Sequence, residues 1–139
     1  MYASILVALD GSDQSMFALN HARAMAECFG SKLILVHAFP HTSDLRDSIE
    51  YNNLVALRIK RGEEIIETAR KQLGRTSIKM DEELLEGPAP EAILSVAATR
   101  KCDLIVMGSR GMGSLKGMVL GSVSTKVSHY ARCSVMVVR

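Results

Sequence analysis

Apolar runs of strand length alternate with amphipathic stretches along the whole chain, the pattern of repeated β-α-β units. Residues 4–9 are continuous in apolar character after Ser4, as suits a parallel strand covered on both faces. Asp10-Gly11-Ser12-Asp13 breaks the run. Ser12 or Asp13 can cap a helix whose stripe of Phe17, Ala18, Ala22, Met25, Ala26 and Phe29 recurs at spacings of three and four, with Gly30 as its stop. A second strand is predicted over 33–38. Residues 40–50 are polar and aperiodic, which predicts a loop long enough to cover a ligand.

The second helix is predicted over 51–73, with Leu54, Leu57, Ile65, Ile66, Ala69 and Leu73 turned inward and Gly74 ending it. Its polar face, with Glu63, Glu67 and Arg70, is expected to carry solvated ion pairs. Residues 77–85 alternate Ile78 and Met80 with polar side chains, as in a more exposed strand. Gly87-Pro88-Ala89-Pro90-Glu91 turns the chain into a third helix, lined by Ile93, Leu94, Ala97 and Ala98, with Pro90 suited to its first turn. A strand at 104–107, a glycine-rich segment, a helix at 122–130 and a strand at 134–138 follow. Five strands alternating with four helices predict an α/β fold: a doubly wound, five-stranded parallel sheet with helices on both faces, because right-handed crossovers must cover both sides. The 139 residues fit one domain over 1–139.

Composition narrows the class. Hydrophobic residues at 47% and charged residues at 23% argue against disorder. The apolar runs fall far short of the roughly 18 residues that a membrane span needs, and the first residues lack the basic stretch and cleavage site of a signal peptide. A cytoplasmic protein without membrane insertion is expected. Cys28, Cys102 and Cys133 are odd in number and far apart, so they read as free buried thiols, and the scattered His21, His37, His41 and His129 predict no structural metal site. His37, ending a buried strand, reads as a packed, hydrogen-bonded residue and not as a base. With no Trp and 4% aromatics there is no stacking platform for nucleic acid, and no nucleic-acid partner is expected.

Charge alters the picture once it is split along the chain. The formal net charge of +2 combines fifteen acids, all at or before Asp103, with seventeen Lys and Arg. Beyond Asp103 there are five basic residues and no acid, and five of the ten glycines lie from Gly108 to Gly121. In an open α/β sheet the ligand lies at the carboxyl ends of the strands, which selects Asp10, Ala38 and the segment from Gly108 onward. Glycines between a strand end and a helix start let the backbone approach a ligand, and the free N–H groups there favour an anion such as phosphate. The segment lacks the G-K-[ST] ending of a P-loop and the spacing of G-x-G-x-x-G, so nicotinamide chemistry loses support.

The pattern that does fit is Gly108-x2-Gly111-x9-Gly121-Ser122. It resembles the ATP-binding signature of the universal stress protein family. The opening Ile5-Leu6-Val7-Ala8-Leu9-Asp10-Gly11-Ser12, Leu35-Val36-His37-Ala38, the Gly87-x-Pro-x-Glu stretch, residues 103–111 and 133–138 resemble that family in order and spacing, over essentially the whole chain. The resemblance implies a Rossmann-like sheet of order 3-2-1-4-5 that binds ATP or another adenine nucleotide with Mg²⁺. Asp10 is then placed beside the ribose and, through the metal ion, near the phosphates. Backbone groups of Ala38 meet the adenine edge between apolar walls from Ala8, Leu9, Val36 and Met107. Backbone N–H groups of Gly108, Ser109, Arg110 and Gly111, and of Gly121, Ser122, Val123 and Ser124, hold ribose and phosphates, with the Ser122 and Ser124 hydroxyls adding to them. The small Ala8 and Ala38 depart from many members, as does Ser134 where proline is common.

Plainer roles stand beside these. Asp10 and Ser122 are also good helix caps, Arg110 and Lys116 serve equally as solvated loop charges, and Met112 and Met118 offer an interaction surface. The expected function is a nucleotide-dependent stress-response or signalling module. Its rivals are a slow ATPase or an adenylate- or phosphoryl-transfer enzyme on the same fold, and a scaffold that binds no nucleotide. The apolar last strand, with Val135, Met136, Val137 and Val138, is a liability if left bare, so a homodimer or higher oligomer is expected through it, alongside an unidentified protein partner.

Overall fold

The first apolar run forms β1 (Ser4–Ala8), and in the computed structural model, which describes residues 1–41, 49–111 and 120–139, it becomes the centre of the sheet. Around it lie α1 (Asp13–Phe29), β2 (Lys32–Phe39), α2 (Ile49–Leu73), β3 (Met80–Glu86), α3 (Ala89–Thr99), β4 (Leu104–Gly108), α4 (Ser122–Tyr130) and β5 (Ser134–Val138). The five strands are parallel in the order β3-β2-β1-β4-β5. The strand-by-strand alternation in the sequence gives this sheet because each crossover buries a helix against it.

Side chains alternate between two cores. Ile5, Val7, Leu33, Leu35, Leu104 and Val106 face α1 and α2, where Leu19, Ala22, Ile65, Ile66 and Ala69 meet them. Leu6, Ile34, Val36, Ile105 and Met107 face α3 and α4, against Ile93, Val96, Ala97 and Val127. With both faces covered, the central strands are apolar without alternation over 5–8, 33–36 and 104–107. Among the described residues no helix is long and apolar enough to cross a membrane.

Several details differ from the periodicity. Phe17 and Phe29 are exposed, and Ser15 and Leu19 take the inner positions of α1. Leu57 is likewise exposed and Gly62 is buried on α2, while on α3 Val96 is buried and Ala98 is exposed. A 3.6-residue repeat leaves neighbouring positions equally eligible, and the sheet decides between them. The second helix starts inside the expected loop, at Ile49, and 42–48 lie outside the described residues. β3 begins only at Met80, since the Thr76 hydroxyl accepts the Ile78 N–H and holds that stretch in a local turn. Arg70 does not pair along its own helix but bonds Glu82 on β3 at 2.6 Å. Cys28 is exposed near the end of α1, whereas Cys102 is buried and Cys133 partly so. Burial pushes both of those thiols above their ordinary range.

Candidate functional site

The chain returns from β3 at one edge to β4 beside β1, so the strand order reverses between β1 and β4. There a cleft opens at the carboxyl ends of the strands, where open α/β sheets take their ligands. Ala8, Leu9, Val36, Ala38 and Met107 give it an apolar floor, joined by Ala89 and Ile93 from α3. Asp10, Ser12 and Ser15 form one polar side, and Gly108, Arg110, Gly111, Gly121, Ser122, Val123 and Ser124 form the other. Among the described residues, Asp10 and Arg110 are the only charged ones in this lining.

Asp10 is held by its own turn. Its Oδ1 accepts the Ser12 N–H at 2.9 Å and the Ser12 hydroxyl at 2.5 Å, while Ser12 Oγ accepts the Ser15 N–H at 3.2 Å as the N-cap of α1. Ser12 is thus the helix cap, and Asp10 is a carboxylate fixed by that cap and turned to the cleft. Gly111 passes close to it: a Cβ at 111 would overlap Asp10 Oδ2, so only glycine lets the two walls approach this closely.

The start of the glycine segment is more occupied than the sequence implies. Ser109 is buried and does not line the cleft. Its N–H bonds the Val138 carbonyl at 2.7 Å, and its carbonyl accepts the Gly121 N–H at 2.5 Å and the Ser124 hydroxyl at 2.8 Å. Gln14 of α1, which sequence reasoning missed, accepts both the Arg110 N–H at 2.8 Å and the Ser109 hydroxyl at 3.1 Å through Oε1. The amides of Ser109 and Arg110 are therefore spent on protein acceptors. Ser124 likewise offers the cleft its backbone rather than its hydroxyl, which also reaches the Gly121 carbonyl at 3.1 Å.

Anion-seeking groups remain at the start of α4. Gly121 is its N-cap, with no side chain capping it, and Ser122 sits inside the first turn instead of capping it. The first N–H groups of a helix lack intrahelical acceptors and carry the positive end of its dipole. Lys126 points away, pairing with Glu91 on α3 and holding that carboxyl below its ordinary range. Lys116, Met112 and Met118 lie outside the described residues. His37 is buried and bonds the Leu9 carbonyl at 2.7 Å, and His41 pairs with Glu86 at 3.0 Å. No cluster of three metal-ligating side chains occurs among the described residues.

The additional lining residues, Ser12, Ser15, Ala89 and Ile93, come from helix starts that face the strand ends across the cleft. The only sequence signal for them is the break after each strand.

The family model described as the universal stress protein family matches residues 1–139. A universal stress protein of Thermus aquaticus is 38% identical over 139 residues, covering 100% of both chains. Among solved structures, the universal stress protein UspA from Lactobacillus plantarum superposes with a TM-score of 0.88 at 25% identity, covering 99% of this chain and 98% of that one. A universal stress protein in complex with cAMP superposes with a TM-score of 0.73 at 28% identity, over 99% and 97% of the two chains.

Proposed function

The chain belongs to the universal stress protein family, and on that premise we propose that it binds ATP with Mg²⁺ in the strand-end cleft and works as a nucleotide-dependent stress-response or signalling module. The observation that carries this is the division of the cleft, apolar at Ala8, Val36, Ala38, Met107 and Ile93 and anion-seeking at Arg110 and the uncapped start of α4. A flat base suits the first and phosphates suit the second. The relative solved with cAMP supports an adenine nucleotide. Asp10 is a single carboxylate on the wall, and one or two suffice for Mg²⁺ when phosphates and water complete its shell.

Binding is favoured over turnover. The described lining holds no His and no acid besides Asp10, whose Oδ1 already takes two bonds from Ser12. Hydrolysis is expected below about 1 s⁻¹, the low end of ordinary enzymes. We also propose a homodimer through β5, whose residues Ser134–Val138 carry no charge, whereas the opposite edge, β3, carries Asp81, Glu82, Glu83 and Glu86. Charged edges resist pairing and uncharged ones invite it.

The test is calorimetric titration of ATP and Mg²⁺ into protein stripped of small molecules, together with the mass of whatever freshly purified protein releases on denaturation. Saturable binding of ATP and release of an adenine nucleotide are expected. No saturable binding of ATP, ADP, AMP or cAMP overturns the proposal.

A further inference from the structure

We infer that His37 is a positioning residue for the nucleobase: its ring N–H removes the Leu9 carbonyl from the β1–β2 ladder and so leaves the backbone edge of Ala38 open to the cleft. The consequence for binding rests on the nucleotide reading above; the geometry does not.

The direction of each backbone group on β2 follows from its neighbours. Lys32 N–H donates to the Ala3 carbonyl at 2.9 Å, and the Val36 carbonyl accepts from Leu9 N–H at 2.8 Å, so these residues face β1. Leu33 N–H donates to the Lys79 carbonyl at 2.9 Å, and the Phe39 carbonyl accepts from Gly87 N–H at 2.7 Å, so the alternate residues face β3. Alternation puts the N–H and C=O of Ala38 on the β1 side. The ladder runs in register up to Ala8 opposite Val36, and the next rung pairs Leu9 with His37. That rung needs two bonds, from Leu9 N–H to the Val36 carbonyl and from Ala38 N–H to the Leu9 carbonyl.

The first bond forms; the second is missing among the described residues. The Leu9 carbonyl instead lies 2.7 Å from His37 Nδ1. A carbonyl only accepts, so Nδ1 carries the proton, which fixes the tautomer of the neutral ring. Packing holds the ring in place. His37 is 7% exposed, and α2 comes so close that a Cβ on Gly62 would sit 2.9 Å from His37 Cδ2. The side chain of the very residue that would close the rung thus intercepts it. Ala38 is left with a donor and an acceptor on one edge, in the lining of the cleft and without a bulky side chain over them. A nucleobase edge with adjacent acceptor and donor matches that pair.

Two measurements on nucleotide-free protein test the geometry. In the native protein, imidazole ¹⁵N shifts should report a proton on Nδ1 of neutral His37, and the Ala38 amide should exchange rapidly with solvent. A bare Nδ1, or an Ala38 amide as protected as its strand neighbours, overturns the inference. In His37→Leu the freed Leu9 carbonyl should capture Ala38 N–H and slow its exchange, whereas His37→Asn, which keeps an N–H donor at the same position, should retain rapid exchange. Equal exchange in folded His37→Leu and native protein also overturns it. For binding, His37→Leu should weaken ATP about tenfold, the worth of one hydrogen bond, and leave inorganic triphosphate unaffected, with His37→Asn restoring ATP. Equal losses for both probes refute a base-specific role. Failure of the native protein to bind ATP refutes the nucleotide reading itself, with the exchange data still deciding the geometry.

Discussion

At the scale of single residues, the cleft depends on contacts between its two walls. Gly111 is where they meet, because an added methyl collides with Asp10 Oδ2. Gly111→Ala should weaken ATP about tenfold or more, since Asp10 must leave the bonds that Ser12 gives it or the segment must shift. Calorimetry checks this, and an unchanged dissociation constant would show that the two walls do not act together on the ligand. The residues brought to the cleft by strand ends were legible in the sequence, because a strand end followed by glycine or aspartate marks the place where the sheet stops. Gln14 was not. It lies one turn inside a helix and matters only because β4 ends beside that turn, a tertiary fact with no local signature. Ser109 is the converse, a residue inside the motif whose hydrogen bonds all serve the fold.

At the scale of elements, strands were easier to read than helix faces. The central strands announce themselves by unbroken apolar runs, and β1 and β4 differ from expectation by one residue at their ends. Helix faces were ambiguous wherever apolar residues sat on both sides of the stripe: Phe17 and Leu57 look like core in the sequence, yet both are exposed. The edge strand β3 is secured differently, by ion pairs. Asp81 accepts from Lys32 and from Arg100, and Arg100 also bonds Glu83 at 2.7 Å. Lys32 first, and then Arg100, holds the Asp81 carboxyl below its ordinary 3.8, and Glu83 raises Arg100. A carboxyl lowered on folding stabilises above its unfolded value and loses that contribution as pH falls through the lowered one. Asp81→Asn should therefore lower the urea midpoint slightly near neutral pH, as half-exposed pairs allow. The gap should close as pH is taken below 3.8, and salt near about 1 M should narrow it. A gap that persists in acid would trace the effect to packing instead of charge.

For the whole molecule, the uneven charge of the chain acquires a location. Asp103, the last acid, lies at the far end of β4, where it accepts the N–H groups of Ala3 and Ser4 at 2.8 and 3.1 Å. Everything beyond it, including one side of the cleft, is free of acids that would repel phosphate. The two sheet edges differ in the same way. The Ser109 N–H reaches the Val138 carbonyl, so by alternation Val135 and Val137 turn their backbone groups away from β4. Val137→Pro should then remove an outward N–H without costing a β4–β5 bond, converting the proposed dimer to monomer by light scattering while circular dichroism stays the same. A dimer that survives it must form elsewhere. The thiols supply a way to watch this. Only Cys28 is exposed, and the other two are kept protonated by burial, so a maleimide dye at neutral pH should mark each chain once. Cys28 sits near the end of the 17-residue α1, about 25 Å along the helix from the cleft. Energy transfer between differently dyed copies would thus report assembly in real time, with the nucleotide site left unmarked.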